Sequence, residues 1–338
     1  MTTKIEWTEE TWNPVTGCSH VSPGCENCYA ERMAPRLVAM GQDGYTSLPW
    51  TAQNAAQNVV LRPERLDQPL RWTKPRRIFV NSMSDLFHER IPDEFIDRVF
   101  AVMALADWHC FQVLSKRPSR MQEYMQRALP RIAALRRDDG EGNRQEERHE
   151  LQGGISDSAP QTLEAHLEWP LPNVWLGVSV EDQRRADERI PLLLQTPAAV
   201  RWLSCEPLLG PVELTNIRWL EFRVDCLSQR YGRDGWSERA GAKIDWCVVG
   251  GESGPGARPM HPVWARSLRD QCVAERIPFF FKQWGCWYPS SNRDGEPRRE
   301  LGLCRTSMGF EDGQRMWRGT KAEAGRYLDG HIWDEYPS

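Results

Sequence analysis

Cys18, Cys25 and Cys28 fall within eleven residues in the spacing C-x6-C-x2-C, with Pro23 and Gly24 between the first pair to permit a tight turn. Thiolates so close in sequence can chelate, and the residues alone allow two metal readings. Three cysteines can hold three irons of a [4Fe-4S] cluster and leave the fourth iron open to a ligand. Together with His20 they can instead close a Cys3His structural zinc site. Three unrelated free thiols are the remaining alternative. The chain has ten cysteines, and its first residues, Met1 to Glu6, lack the apolar stretch of a secretory signal. A cytoplasmic protein is therefore expected, and metal or redox chemistry rather than a disulfide scaffold.

The elements that must position this loop read as strand and helix in alternation. Arg77 to Val80 is a short apolar run, and Pro92-Asp93-Glu94 opens an amphipathic stretch with Phe95, Ile96, Val99, Phe100 and Met103 on one face. The unit recurs at Cys110 to Leu114 with a helix from Pro118, and at Val174 to Val178 with a helix over Asp182 to Leu194. Val200 to Leu203, Trp246 to Val249 with a helix from His261-Pro262, and Ile277 to Phe281 complete the series. Short apolar strands alternating with amphipathic helices predict parallel pairing with both sheet faces covered. The cysteine loop follows a first strand and precedes a helix expected over Glu26 to Met40. Ten of the fifteen residues from Arg136 to Glu150 are charged, which predicts a solvated insertion between the third and fourth strands. A second insertion, about 214–243, is polar but carries Trp219, Phe222 and Trp236 and suits a small satellite.

In parallel barrels the chemistry gathers at the carboxyl ends of the strands. Those ends supply Ser82, Ser84 and Asp85; Ser115 and Lys116; Ser179 and Glu181; Ser204, Cys205 and Glu206; Gly250, Gly251 and Glu252; and Lys282. Any one of them suits a helix cap, but six successive polar strand ends predict a polar pocket shared with the cysteine loop. The run Gly250 to Gly256 lets backbone approach a ligand closely, although it is neither a Walker loop nor a dinucleotide fingerprint.

The cysteine loop with its trailing Tyr29-Ala30 is accompanied by Asn81-Ser82-Met83-Ser84-Asp85-Leu86-Phe87, Leu114-Ser115-Lys116-Arg117-Pro118 and Leu203-Ser204-Cys205-Glu206-Pro207-Leu208-Leu209-Gly210. Val249-Gly250-Gly251-Glu252-Ser253-Gly254, Phe281-Lys282-Gln283-Trp284-Gly285 and the ending Leu328 to Glu335 complete the pattern. In these motifs the chain resembles the three-Cys-motif phage protein family, of unknown function, which is similar to radical SAM enzymes. The resemblance implies an α/β fold, a full or partial (β/α) TIM-like barrel of radical SAM type over residues 1–284, with insertions at about 130–168 and 214–243 and a C-terminal extension, 285–338, packing on it. It further implies a [4Fe-4S] cluster on Cys18, Cys25 and Cys28, with S-adenosyl-L-methionine at its open iron. The reaction would be generation of a 5'-deoxyadenosyl radical that modifies an unknown substrate. The first cysteine gap is wider than the usual C-x3-C-x2-C, which bears on the shape of the loop and not on its ligand count.

Among relatives of that type the strand-end pattern resembles the spore photoproduct lyase-like branch, which places a serine after the second strand, so that Ser82 or Ser84 would contact the methionine amino group. A lyase is not implied, because Asn81-Ser82 stands where those enzymes carry a hydrogen-donating cysteine. Within the implied enzyme, Ser179 and Glu181 are expected at a ribose, and Asp85 and Glu206 as bases or substrate ligands. Lys116 and Lys282 are expected at an anionic group and Gly250, Gly251 and Glu252 as pocket lining, while Cys205 reads either as a quencher of a substrate radical or as a small buried hydrophobe. Cys110, Cys247 and Cys272 read as core.

Forty-three basic and forty-seven acidic residues give a net charge of -4, so no bulk attraction draws the chain to nucleic acid or to an anionic membrane. A mean hydropathy of -0.62 and the lack of a long apolar run exclude a membrane span, while 40% hydrophobic residues suffice for a core. Of sixteen tryptophans, Trp202, Trp246 and Trp264 are expected in the core. A nucleic acid or nucleotide substrate, and a partner protein encoded nearby, are carried as expectations. The alternative is a non-catalytic, zinc-stabilised nucleic-acid-binding phage protein that uses Trp and Arg surfaces in the insertion and tail.

Overall fold

The six apolar runs and the short segment Glu10-Thr11-Trp12 form seven strands: β1 (Glu10–Trp12), β2 (Arg77–Val80), β3 (Cys110–Ser115), β4 (Val174–Ser179), β5 (Val200–Cys205), β6 (Trp246–Gly250) and β7 (Phe279–Gln283). This computed structural model describes residues 3, 5–133, 168–232, 241–289 and 306–337. All seven strands pair in parallel and in chain order, with Ile78 opposite Phe111, Val113 opposite Leu176 and Cys247 opposite Leu203. Strand order that repeats chain order forces every crossover to the same side. Helices α2 (Asp93–Leu105), α3 (Pro118–Arg127), α4 (Gln183–Leu194) and α5 (Pro262–Ala274) accordingly serve one face, whereas α1 (Tyr29–Ala39) buries Ala30 and Ala34 with Trp50 and Met83, and the sheet is a parallel half-barrel.

The two faces are filled by different residues, as the alternation of side chains along a strand requires. Ile78, Val80, Phe111, Val113, Leu176, Val178, Leu203, Val249 and Phe281 pack against helical Ile96, Phe100, Met121, Ile190 and Leu268. Phe79, Trp202, Trp246, Val248 and Phe280 form the opposite layer with Trp7 from the N-terminal segment. The Trp7 and Trp202 rings lie 5.1 Å apart and the Trp202 and Trp246 rings 5.4 Å apart. On β4, Gly177 leaves the space that the Trp202 indole fills, since a Cβ there would overlap the ring. Trp202 and Trp246 are thus core residues, while Trp264 is partly buried against the helix-side core.

The end of the chain returns to the sheet. Phe281 N donates to Trp333 O at 2.9 Å, Phe280 and Asp334 form an antiparallel bridge, and the Tyr336 ring packs 5.3 Å from that of Trp246. The tail therefore covers the β7 edge, which would otherwise present unpaired backbone. Residues 217–232 of the second insertion form a three-stranded antiparallel sheet with Trp219 against the main core. Another three-stranded sheet, from Trp287–Pro289, Ser307–Gly309 and Arg315–Arg318, belongs to the extension. Of the charged insertion, residues 134–167 lie outside the described residues; Ile132 and Ala133 are buried, so the core runs on past residue 130. No described helix is long and apolar enough to cross a membrane.

Candidate functional site

The cysteine loop begins where β1 ends, and side chains from the end of β2 stitch it down. Asn13 Oδ1 accepts from Met83 N at 2.9 Å, Val15 N donates to Asn81 Oδ1 at 3.3 Å, and Ser84 Oγ donates to Val15 O at 2.9 Å. Gly17 N donates to Met83 O, and Gly17 adopts a φ of +79° with its α-carbon against the Asn58 carbonyl, a position no side chain can enter. A 3-10 turn at Pro23–Cys25 then leads into α1, which starts at Tyr29 and not at Glu26 because the turn occupies the intervening residues.

Above the half-barrel the loop encloses a cavity of ≈ 140 Å³, lined by Cys18, Cys25 and Cys28 together with Ser82, Ser84, Asp85, Lys116 and Ser179. Val21, Trp50, Phe79 and Leu114 supply apolar wall. Burial pushes the Cys18 thiol up to about 12, against the pull of Arg117, and burial likewise raises that of Cys28. The three sulfurs share this cavity without converging: among the described residues no three His, Cys, Asp or Glu side chains stand in a metal-holding arrangement. His20 also lines the cavity, with its Nε2 held by Glu31 Oε2 at 2.6 Å.

The strand-end hydroxyls and carboxylates are mostly committed to positioning. Ser82 Oγ pairs with the Asn13 side chain at 3.2 Å. Asp85 accepts from Ser115 Oγ at 2.8 Å, Lys116 N at 2.9 Å, Phe87 N at 3.1 Å and Arg117 Nη1 at 3.2 Å. With four donors on its two oxygens, this buried carboxylate has little capacity left to act as a base; what it does is aim Arg117, whose Nη1 lies 3.5 Å from Cys18 Sγ.

Glu181 and Glu252 grip the loop from behind. Glu181 is fully buried and accepts from Ser22 Oγ at 2.6 Å and Arg189 Nη1 at 2.9 Å, with Lys116 Nζ at 3.9 Å. Burial raises its pKa, but Lys116 and Arg189, together with the hydrogen bond from Ser22 and one from backbone, outweigh burial and hold the carboxyl below its ordinary range. A Cβ on Gly24 would strike its carboxylate. Glu252 accepts from Asn27 Nδ2 at 2.9 Å and Arg258 Nη2 at 2.6 Å, and the same Nη2 donates to Pro23 O at 2.9 Å. Both carboxylates, expected at a ribose and in a pocket lining, are spent on the cysteine loop.

The remaining strand-end residues stand outside the cavity wall. Lys282 Nζ donates to both oxygens of Glu206 at 2.8 Å, so this cation and this carboxylate neutralise each other. Gly250 makes room for Glu206, since its Cβ would lie 3.2 Å from Oε1, and Gly251 lets the Trp284 carbonyl approach. The close approach at these glycines is thus protein to protein. Cys205 is fully buried in the helix-side core with Cys247 and Cys272. Hydrogen bonding with Cys247, and then burial, pushes its thiol well up, and it has no face on the cavity to quench a radical there.

Two participants were not singled out by sequence. Arg117 joins Cys18, Asp85, Glu89 and Ser19, and His88, fully buried, meets Ser19 Oγ through Nε2 at 2.9 Å. Because His88 Nδ1 accepts from Arg90 N at 3.1 Å, the neutral ring carries its proton on Nε2 and donates it to Ser19. Arg117 was visible only as part of a motif, and His88 gave no spacing signal.

A family described as a protein of unknown function, DUF5131, matches residues 2–337. The chain belongs to the DUF5131 family. No curated protein matches it, and no solved structure does. The DUF5131 match spans the cysteine loop, all seven strands and the returning tail.

Proposed function

We propose that this member of the DUF5131 family is an iron-sulfur enzyme in which Cys18, Cys25 and Cys28 hold a [4Fe-4S] cluster beside bound S-adenosylmethionine. One observation carries the reading: three thiols of one eleven-residue loop line a single cavity at the carboxyl end of a parallel half-barrel, together with the ends of β2, β3 and β4. The donor set fits the group, since thiols are its ligands and Arg117 and Lys116 stand by to offset its anionic charge. One-electron cleavage of S-adenosylmethionine is the chemistry that such a cluster supplies.

The chain's own residues hold, shield and charge-balance. Trp50, Phe79 and Leu114 keep water from the wall, and the Glu181 and Glu252 ties limit how far the loop moves when its sulfurs are gathered. The raised Cys18 and Cys28 thiols enter protonated at neutral pH, so loading releases protons. A nucleotide or nucleic acid is the substrate class to try first, on the strength of the resemblance. Anaerobic reconstitution is the test, with about four irons per chain expected, and 5'-deoxyadenosine on adding S-adenosylmethionine and reductant. One zinc per chain and no 5'-deoxyadenosine would overturn the proposal.

A further inference from the structure

The second insertion, which the cluster chemistry leaves without a part, builds a cleft of ≈ 620 Å³ against α4. One wall is the face of α4 that carries Arg184, Asp187 and Glu188, and the other is the hairpin of Ile217–Trp219 and Phe222–Asp225. Side chains of α4 pin the two walls together. Asp187 Oδ1 accepts from Arg218 N and from Gln183 Nε2, both at 2.9 Å, and Gln183 Oε1 accepts from Glu213 N at 2.6 Å. Within the hairpin Arg218 and Arg223 stand directly opposite each other. Their neighbours Ile217 and Val224, also paired, are buried, so strand alternation turns both arginines to the other face, where they line the cleft. Side chains so placed leave the backbone about 5 Å apart at Cβ, and like charges there repel. Neither guanidinium has a hydrogen bond or an ion pair among the described residues. The carboxylates of the cleft are engaged elsewhere: Asp187 as above, Glu188 with Arg184 Nε at 2.8 Å, and Glu213 with Thr215 Oγ1 at 2.6 Å.

We propose that this cleft binds a small phosphate monoester, its phosphate held between the Arg218 and Arg223 guanidiniums. A phosphate has oxygens enough for two guanidinium forks, whereas a carboxylate is filled by one. The bound anion also removes the repulsion between the two arginines. The cleft is larger than a phosphate alone, and volumes of about 300 to 1,000 Å³ suit whole small-molecule ligands. Asp187, Glu188 and Glu213 offer acceptors to hydroxyl or amino groups on the body of the ligand, and their charge disfavours a strand of consecutive phosphates. A phosphorylated sugar has this combination. The cleft shares no lining residue with the cysteine cavity, so the proposal stands apart from the iron-sulfur reading.

Isothermal titration of the full chain with ribose 5-phosphate at constant ionic strength tests this, with ribose, inorganic phosphate and a short oligothymidylate as comparisons. Saturable binding of ribose 5-phosphate is expected, tighter than that of inorganic phosphate, and none of ribose. Arg218→Gln and Arg223→Gln should each weaken it about tenfold, as the loss of a hydrogen bond to a charged group does. Arg218→Lys keeps the charge without the fork and should weaken it less. Because each glutamine variant relieves a like-charge pair, its melting temperature without ligand should be no lower than that of the native protein, which separates lost binding from lost folding. No saturable binding of ribose 5-phosphate, or the native affinity in both glutamine variants, overturns the proposal. So does inorganic phosphate bound as tightly as the sugar phosphate, since the carboxylates would then have no part. Oligothymidylate bound more tightly than ribose 5-phosphate, and weakened by the same substitutions, would make the hairpin a nucleic-acid surface and overturn the small-ligand site.

Discussion

Glu181 Oε1 accepts a hydrogen bond from Ser22 Oγ at 2.6 Å, tying the end of the fourth strand to the loop between the first two cysteines. The carboxylate behind that bond is fully buried and faces Arg189 and Lys116, so its charge is needed as well as its shape. Glu181→Gln keeps the shape and leaves both cations facing a neutral amide. Breaking one partner of a buried ionic cluster is destabilising by about 3 kcal/mol. Urea denaturation should show that loss, and the reconstituted variant should retain less iron through gel filtration. Unchanged stability together with full iron retention would remove Glu181 as the anchor of the loop.

Much of the frame was legible because periodicity and punctuation report it directly. Arg77 to Val80 became β2 and the amphipathic stretch opening at Pro92 became α2, since a short apolar run and a one-faced helix each have one way to bury themselves here. The polar strand ends were legible as residues but not as roles. Glu252 reads as pocket lining until the fold brings Asn27, 225 residues away, against it. His88 and Arg117 belong to local sequence that looks like ordinary loop and helix cap, and only packing turns them toward Ser19 and Cys18.

His88 gives the protein an acid limit. Burial, and then the nearby Arg117 guanidinium, lower its pKa to about 4, against the smaller upward pulls of Glu89 and Asp85. The unfolded chain binds this proton near pH 6.5 and the folded chain does not, so the contribution is fully present above pH 6.5 and is lost as the pH falls toward 4. The span amounts to roughly 3 kcal/mol. Urea melts between pH 7 and 4 should show this decline, and His88→Gln should flatten it. An equally steep decline in the variant would assign the effect to other groups.

Gly17 fixes the backbone just before Cys18. Its φ of +79° is open to glycine, and its α-carbon abuts the Asn58 carbonyl. Gly41 has a similar φ, +70°, with nothing within 4 Å of where a Cβ would stand. Gly41→Ala should therefore show backbone strain alone, about 1 kcal/mol, whereas Gly17→Ala adds a collision and should lose about 2 kcal/mol or more. Thermal melts of the two variants compare them directly, and equal losses would mean that the loop yields freely at Gly17.

The tail should protect the sheet from self-association. Trp333 O accepts from Phe281 N, Glu335 N donates to Phe279 O, and the Tyr336 ring stands 5.5 Å from Phe280 with the Arg77 guanidinium 4.0 Å from its centre. Removing residues 333–338 uncovers both the backbone edge of β7 and the aromatic layer around Trp246 and Phe280. An exposed edge beside an apolar face is a pairing site for a second chain. The truncated protein should elute from a sizing column as larger species with increasing concentration and show red-shifted tryptophan emission, because the Trp246 indole also loses its bond to Glu335 O. Tyr336→Ala keeps the strand and removes only the ring, so it should shift the emission without the association. If the truncated chain elutes as the native protein does at all concentrations, edge protection is not what the tail provides.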